Sequence, residues 1–307
     1  MSTVVQGFTV AGARDEFFRE YTNAEVFPWD RFALRVPSTA KRETYRGLGA
    51  PPAMREFGTG RLAQGLKSES YDIENEKYEA TFSLSREEVE DDRAGHAMFK
   101  LRALGYAARR HPQILLASLL ETGAAANALA YDGASYFSDA HPYTDFSGAA
   151  QVQDNDLTAT AAAAKKTVAE CLTALDASIS GLLSLRDDHG GAVHDDDAGI
   201  VAVVPASMLC AMRQAANALI VAGLGGPNGI GVLTLPQLTL GTTFYTMKTT
   251  GQRRPFFFQE RSPMEFSSSG DSDEVVFVVD QVRFGVRSRY ALGYGYYQCS
   301  VRTVFNN

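Results

Sequence analysis

The chain has few of the residues on which secreted, membrane-spanning or zinc-binding proteins depend. Its only cysteines are Cys171, Cys210 and Cys299, which lie far apart and form no C-x-x-C pair. An odd number of such cysteines argues against a disulfide framework and against a zinc cluster. No stretch approaches ~18 consecutive apolar residues, and the chain does not begin with a basic region followed by an apolar one. We therefore expect a protein that is made and used in a reducing compartment without crossing a membrane.

Positive charge is also scarce. The 29 Lys and Arg residues are outnumbered by 36 Asp and Glu residues, which gives a formal net charge of −7 and a pI near 5.3. Proteins dedicated to nucleic-acid binding gain affinity by replacing counterions with Lys and Arg, so this class is disfavoured. A container for DNA stays compatible with the charge, because a neutral to acidic wall leaves a packaged duplex mobile.

The residues that are present suffice for a large core, since 45% of them are hydrophobic and 21% are charged. A chain of 307 residues exceeds the size at which one core grows efficiently, so we expect two or more lobes. Residues 1–40 predict an arm, in which an amphipathic piece over residues 13–21 precedes a run interrupted by Pro28 and Pro37. Its aromatic residues need apolar partners on the same chain or on a neighbouring copy.

Residues 41–85 predict a long hairpin. The first half is rich in Gly and Pro, and the second half alternates like a strand from Tyr78 to Leu84. The charges are segregated, with six cations and two acids in residues 41–67 but five acids and one cation in residues 68–85. Such a loop can pair with itself or lie head-to-tail on another copy, and both arrangements stay open.

A long helical spine is predicted next. It begins at Ser85, because Glu88 can reciprocate the Ser cap and acids crowd the positive end of the helix dipole. The helical pattern continues to Arg110, and Pro112 opens a second helical stretch that ends near Gly123.

The middle and the end of the chain differ in their patterns. Residues 156–180 predict an Ala-rich helix with one buried face, and an apolar strand at residues 199–205 precedes a helix over residues 206–221. This alternation predicts a compact α/β lobe. Residues 244–305 are β-rich, with a turn at residues 267–274.

Three loops invite a binding interpretation that their spacing does not support. Residues 60–68 depart from a phosphate-binding loop because Leu66 separates the second Gly from Lys67, and the Gly-rich residues 223–231 follow a helix instead of a strand. Residues 187–197 contain two His and five Asp but no metal-ligand spacing, so a solvated turn is favoured.

No residue is nominated for catalysis, cofactor binding or metal binding. His111 and His141 precede Pro and are typical of turns, and His96 is typical of packing in a helix. No G-x-S-x-G, H-E-x-x-H or Cys/His pairing is present, so an enzyme is disfavoured. The aromatic residues at 256–258 and 293–298 could stack on bases, but alternating aromatics are more typical of sheet cores and subunit interfaces.

Several motifs together resemble the major head subunit family of Mu-like phages and prophages. That family's pattern runs from V-P-S-T through L-G-x-x-P-x-M-R-E-[WF] to N-x-x-[FY]-E-x-T, [IV]-E-D-D and H-P. These motifs match residues 36–39, 48–57, 75–81, 89–92 and 111–112. A D-G-x-x-[FY]-F-x-x-x-H-P element matches residues 132–142, and the closing strands resemble residues 253–261 and 282–298. The resemblance is weakest over residues 1–35, 151–184 and 187–197.

The resemblance implies an α+β protein with the Hong Kong 97-like capsid fold. Its parts would be an N-terminal arm (1–40), an extended loop (41–85), the spine helix of a peripheral domain (86–130), an axial domain (131–250) and strands that return to the peripheral domain (251–307). The implied function is that of the major capsid protein of a tailed bacteriophage, which assembles into hexamers and pentamers of an icosahedral head around double-stranded DNA. It would have no enzymatic activity and no cofactor.

The resemblance also implies partners and a location. The partners would be other copies of the chain, a scaffold or protease, a portal and decoration proteins, with no sequence-specific DNA binding and no membrane. The chain would be assembled in the host bacterial cytoplasm and reside in the virion. Two alternatives stay open, namely an encapsulin-like cellular compartment of the same fold and a soluble α/β enzyme with a metal site at residues 187–197.

Overall fold

The structure is a computed structural model that describes residues 10–46, 48–49, 70–85, 95–145, 147–161, 166–221, 229–269 and 281–306. In these ranges no helix has both the length and the apolar character needed to cross a membrane. The described α-helices are α1 (Val10–Asn23), α2 (His96–Thr122), α3 (Val168–Ser184) and α4 (Leu209–Val221).

The described strands number thirteen and form two larger sheets and two small hairpins. They are β1 (Ala33–Pro37), β2 (Arg42–Arg46), β3 (Ser70–Glu74), β4 (Glu76–Ser85), β5 (His141–Thr144), β6 (Ala150–Gln153), β7 (Asp156–Thr160), β8 (Ile200–Val204), β9 (Gly231–Thr234), β10 (Thr243–Lys248), β11 (Phe256–Ser268), β12 (Gln281–Tyr294) and β13 (Ser300–Asn306).

The first larger sheet has the order β1-β11-β12-β4. Strand β1 runs parallel to β11, and the other neighbours are antiparallel. The helices α1 and α2 cover one face, where Ala13, Leu101 and Phe284 share an apolar cluster. The β2–β3 hairpin lies on the opposite face, where Ile73, Phe257 and Ala291 are buried together.

The second larger sheet has the order β7-β13-β10-β8-β9. Helices α3 and α4 cover one face, with Cys171 and Met212 packed against Phe244. All five residues of β8 are buried, as an all-apolar strand covered on both faces requires. On the other face, Tyr245 belongs to a cluster that includes Tyr294 of the first sheet, so the two sheets share one core.

The spine is one continuous helix. Pro112 lies inside α2 instead of opening a second helix, and it is buried. A proline removes one backbone hydrogen bond, yet Leu116 and Leu120 beyond it are buried in the shared core, and this packing holds the second half in line. The predicted start at Ser85 falls largely outside the described residues, which resume at Gly95.

Three other sequence predictions need correction. Residues 156–160 form β7 and not helix, because Leu157 to Thr160 pair with β13, and α3 begins only at Val168. Strand β4 pairs with β12 and is not part of the hairpin that β2 and β3 form. Finally, residues 251–307 do not return together to the first sheet, since β13 lies in the second.

Candidate assembly surfaces

The root of the β2–β3 hairpin is clamped to the first sheet. Tyr45 stacks on Phe257 with ring centroids 4.9 Å apart, and its hydroxyl donates to Gln259 over 2.8 Å. Burial raises the pKa of Tyr45 to about 12, so this hydroxyl stays a donor at neutral pH. Ile73 packs so closely on Gly293 that a Cβ there would lie 2.6 Å from its Cδ1. The root is therefore a fixed base that holds the chain on both sides of residues 47–69.

The opposite charges of the hairpin meet at its root. Lys41 lies 2.6 Å from Glu74, and Arg42 lies 3.1 Å from Glu74 and 3.7 Å from Asp72. Hydrogen bonds from Lys41 and Arg42 lower the pKa of Glu74. The hairpin therefore pairs with itself at its root. Three other cations of the segment, Arg55, Arg61 and Lys67, lie outside the described residues.

A polar groove of about 550 Å³ opens beside the root. Its walls carry both signs of charge, with Lys77, Arg287 and Arg289 facing Glu76 and Glu265. Side chains of mixed sign around an open groove favour a polar contact with another protein segment and offer no apolar pocket for a small molecule.

The arm packs on its own chain wherever it is described. Phe17 of α1 is fully buried, and Gly105 of α2 lets the helices approach so closely that a Cβ there would lie 2.8 Å from the Phe17 carbonyl oxygen. The carboxylate of Glu16 accepts hydrogen bonds from Arg19 and Arg102. The arm's aromatic residues are therefore not an open apolar patch in these segments.

The outward face of α2 exposes large apolar side chains. Phe99 is 70% exposed, Tyr106 41% and Ile114 44%, and their spacing of seven and eight residues places them along one side of the helix. The end of α4 exposes Val221 to 89%. Exposed apolar side chains in a row are typical of surfaces that contact other proteins.

The motifs that carry the family resemblance meet each other in the structure. Ser38 of the first motif accepts a hydrogen bond from the Asn75 amide of the third over 2.7 Å, and Asn75 is buried. His111 of the H-P element packs at a tilt against Tyr78, with ring centroids 4.4 Å apart, and its Nδ1 lies 2.6 Å from the Tyr290 hydroxyl in the closing strands. These contacts tie the arm, β4, α2 and β12 together.

The D-G-x-x-[FY]-F-x-x-x-H-P element forms a third such contact. His141 is fully buried, its Nδ1 lies 2.7 Å from the Asp132 carboxylate, and its ring stacks on Tyr297 at 3.7 Å. Tyr136 of the same element donates to the Pro255 carbonyl oxygen over 2.7 Å. The prediction that both histidines lie in turns is wrong, because His111 lies inside α2 and His141 begins β5. Both rings instead make structural contacts between elements.

The side chains of residues 187–197, the Asp/His loop, point to different partners and do not converge on one site. Asp187 accepts hydrogen bonds from the backbone N–H groups of His189 and Gly191, which is an ordinary turn. His194 bonds the Gln298 carbonyl oxygen, and Asp196 pairs with Lys248. Across the described residues, no three His, Cys, Asp or Glu side chains are placed to hold a metal ion.

The other sequence candidates are also accounted for. His96 is exposed at the start of α2, so the packed position suggested for it was wrong. All three cysteines are free, with Cys171 and Cys299 buried and Cys210 exposed. The near match to a phosphate-binding loop at residues 60–68 lies outside the described residues, as does most of the Gly-rich stretch at residues 223–231.

Asn155 and Lys248 are buried polar residues that sequence analysis did not single out. Asn155 accepts a hydrogen bond from the Ser138 N–H over 2.9 Å and donates to the Tyr136 carbonyl oxygen over 2.9 Å, which joins two loops. Lys248 is 5% exposed and donates to the Asp196 backbone. The sequence signal for Lys248 was a single cation at the end of the buried strand β10. The polar run around Asn155 indicates only a turn.

Comparison with known proteins identifies the family. The family described as "Mu-like prophage major head subunit gpT" matches residues 8–168 and 234–304. The chain is 31% identical to the major capsid protein of Escherichia phage Mu over 114 residues, 37% of each chain. It is 23% identical to the Mu-like prophage FluMu major head subunit of Haemophilus influenzae over 272 residues, 88% of this chain and 64% of that one. The matches therefore span less than two thirds of these relatives' length.

Solved structures identify the fold. A subunit of the bacteriophage JBD30 procapsid has a TM-score of 0.59 at 23% identity, covering 97% of this chain and 75% of its own. The virus-like particle from Pyrococcus furiosus has a TM-score of 0.55 at 8% identity, covering 95% and 98%. These likenesses establish the Hong Kong 97-like capsid fold, and the family match establishes that the chain belongs to the Mu-like prophage major head subunit gpT family.

Proposed function

We propose that this protein is the major capsid protein of a tailed phage or prophage and has no enzymatic activity of its own. The observation that carries the proposal is the family match, which runs over residues 8–168 and 234–304 and so includes strands of both larger sheets, α1 and α2. Copies of the chain would form hexamers and pentamers that close into an icosahedral head around double-stranded DNA, which the acidic chain would not bind sequence-specifically.

The parts of the structure support a division of labour in the shell. The first sheet with α2 would be the peripheral domain, and the second sheet with α3 and α4 the axial domain at the capsomer centre. Residues 1–40 would be the arm, and residues 41–74 the extended loop. The sequence placed β4 in the extended loop and β13 with the strands of the peripheral domain, whereas β4 pairs in the first sheet and β13 in the second. The proposed domain boundaries therefore follow the sheets and not the order of the chain.

The clamped hairpin root supports a role for the loop between subunits. A root fixed by Tyr45 and Ile73 can transmit force from the loop to the sheet, and Gly-rich residues 47–65 suit a segment that meets neighbours in unequal environments. Each contact can be individually weak, because a closed shell repeats it many times. A scaffold or protease, a portal and decoration proteins would complete the head, which is assembled in the bacterial cytoplasm.

An encapsulin-like compartment is the rival use of the same fold. The Pyrococcus furiosus particle resembles this chain in fold alone, whereas the phage Mu protein resembles it in sequence. The sequence match therefore favours the viral use. Mass spectrometry of purified particles distinguishes the two uses, since a compartment would retain a cargo enzyme.

The test is expression of the full chain in bacteria, with the products separated by size-exclusion chromatography and imaged by negative-stain electron microscopy. We expect closed shells, rings or tubes. A species of 33.3 kDa that persists as the protein is concentrated, both alone and when co-expressed with a phage scaffold protein, would contradict the proposal.

A further inference from the structure

The chain that leaves β2 lies against the Asp/His loop. Leu48 and Gly49 follow two and three positions after Arg46, the last residue of β2. A Cβ built on Gly49 would lie 2.5 Å from Oδ2 of Asp188, which is closer than Cβ atoms approach other atoms in folded proteins. Residues 48–49 are therefore in close contact with the turn that carries Asp188, between α3 and β8.

The carboxylate of Asp188 is held in place by its own partners. Asp188 is 4% exposed, its Oδ1 accepts a hydrogen bond from the Tyr131 hydroxyl over 3.1 Å, and that hydroxyl accepts one from Gln298 over 2.6 Å. The backbone carbonyl oxygen of Asp188 accepts a further hydrogen bond from the N–H of Thr144 over 3.2 Å. Because a buried carboxylate loses such partners only at a cost in free energy, Asp188 is a fixed wall against which Gly49 fits.

The turn that carries Asp188 is closed on itself. The side chain of Asp187 accepts hydrogen bonds from the N–H groups of His189 and Gly191, over 2.9 and 2.7 Å. The N–H of Asp187 donates in return to the Gly191 carbonyl oxygen over 2.8 Å. The two neighbouring acids therefore have different roles, since Asp187 stabilises the turn and Asp188 faces Gly49.

Leu48 adds an apolar contact beside the polar one. It is half-buried and packs against the cluster that contains Phe257 of the first sheet, and also against the core that the two larger sheets share. The φ of Gly49 lies outside the left-handed region. The close approach to Asp188, and not the backbone conformation, therefore favours glycine at this position.

We propose that Asp188 is a latch that fastens residues 48–49 of the extended loop to the turn between α3 and β8. The hairpin root is fixed to the first larger sheet, whereas β8 belongs to the second, so the latch ties the course of the loop to both sheets. A loop that swings away from the body must first lose its contact with Asp188. The inference gives the Asp/His loop a role other than metal binding. It goes beyond the proposed function and does not depend on it, because the contact lies within one subunit.

The test is a double-mutant cycle on the unassembled subunit, read as the midpoint of thermal unfolding. Gly49→Ala adds the Cβ that meets Asp188 and should lower the midpoint by about 3 °C or more. In the background of Asp188→Ala, which removes the carboxylate, Gly49→Ala should have less than about half of that effect. The matched control is Asp195→Ala, which removes an exposed carboxylate of the same loop and should leave the effect of Gly49→Ala unchanged. An equal effect in the wild-type and Asp188→Ala backgrounds, or no effect in either, would overturn the proposal.

A cross-linking measurement reads the contact without relying on stability. In a chain with Cys210→Ser, the pair Gly49→Cys with Asp188→Cys should form a disulfide within one chain under mild oxidation, identified by peptide mapping without reduction. The pair Gly49→Cys with Asp195→Cys is the control and should form its disulfide at least about tenfold more slowly. Equal rates for the two pairs would contradict the proposal, and so would a disulfide found only in covalent dimers. Both measurements use the unassembled subunit, so their outcome is independent of whether the chain forms shells.

Discussion

At the scale of single residues, the three thiols differ in their surroundings and should differ in reactivity. Burial raises the pKa of Cys299 to about 12 and also raises the pKa of Cys171, whereas Cys210 is exposed. Since the thiolate is the reactive form, iodoacetamide at about pH 8 should label only Cys210 in the folded, unassembled subunit. Intact-mass measurement should count one adduct before denaturation and three after it. Rapid labelling of Cys299 in the folded subunit would contradict the described core.

His141 should be the histidine whose loss costs most stability. Replacing His141 by Ala removes the hydrogen bond to Asp132 and the stack on Tyr297 and leaves the buried carboxylate without that partner. We expect a loss of about 2–4 kcal/mol in the free energy of unfolding, measured with urea. His189→Ala in the half-buried turn is the matched control, with an expected loss below about 1 kcal/mol. Equal losses in the two variants would count against the role assigned to the Asp132 contact.

Two half-buried histidines, His111 and His194, should make the fold sensitive to mild acid. Burial lowers the pKa of His111, and it also lowers that of His194, aided by nearby Lys248 and Arg253. Below the ordinary histidine pKa of 6.5 the unfolded chain binds these protons more readily than the folded chain. Stability should therefore be full above that pH and fall as the pH drops from about 6.5 toward the lowered values.

The measurement for this prediction is the urea midpoint of the subunit between about pH 7.5 and about pH 5.5. In the variant with His111→Gln and His194→Gln the midpoint should depend less on pH over this window, although its value at neutral pH will be lower. An unchanged slope would mean that other groups produce the acid sensitivity.

At the scale of elements, the α1–α2 contact should depend on the absence of a side chain at Gly105. Gly105→Ala places a Cβ against the Phe17 backbone, which cannot move unless α1 shifts. We expect a loss of about 1–3 kcal/mol, larger than the gain of ~1 kcal/mol that Ala brings to a helix interior. Gly181→Ala in α3 is the control, because its Cβ would meet only the end of the Leu157 side chain at 3.0 Å. Thermal unfolding of both variants tests the difference, and destabilisation by Gly181→Ala alone would refute it.

The elements also show where local sequence patterns were sufficient to predict secondary structure. The buried strand β8 and the helix that follows it were predicted from residues 200–221, because an all-apolar run and a 3.6-residue period are local signals. Strand β7 was assigned to a helix, because five residues of mixed character acquire strand geometry only from pairing with β13, which lies about 145 residues later. The two helical stretches predicted on either side of Pro112 form one spine as expected, and the burial of Leu116 and Leu120 keeps the helix continuous through the proline.

At the scale of the whole molecule, the loop should be needed for the shell and not for the subunit. Arg46 and Ser70 are paired at the ends of β2 and β3, so residues 47–69 can be replaced by a two-residue turn without moving the root. The shortened chain should keep the circular dichroism spectrum and unfolding midpoint of the full chain. It should fail to form closed shells in negative-stain images. Normal shells from this variant would remove the loop from the assembly mechanism.

The family and its fold could be inferred from the sequence alone, because the motifs around Asn75, His111 and Asp132 keep recognisable residue types and spacing. The absence of a recognisable metal motif in residues 187–197 could also be read there. The sequence could not say that Ser38 meets Asn75, that His111 meets Tyr290, or that His141 lies against Tyr297. These partners are 37 to 179 residues apart, and only the pairing of strands and the packing of α2 bring them together.

The tertiary structure also decided which polar groups are structural. Lys248 and Asn155 do not stand out from other polar residues in the sequence, but folding removes both from water and so requires partners for their polar atoms. The sequence by itself determined the family and the pattern of buried faces, because both depend on neighbouring residues, whereas contacts depend on how distant segments meet.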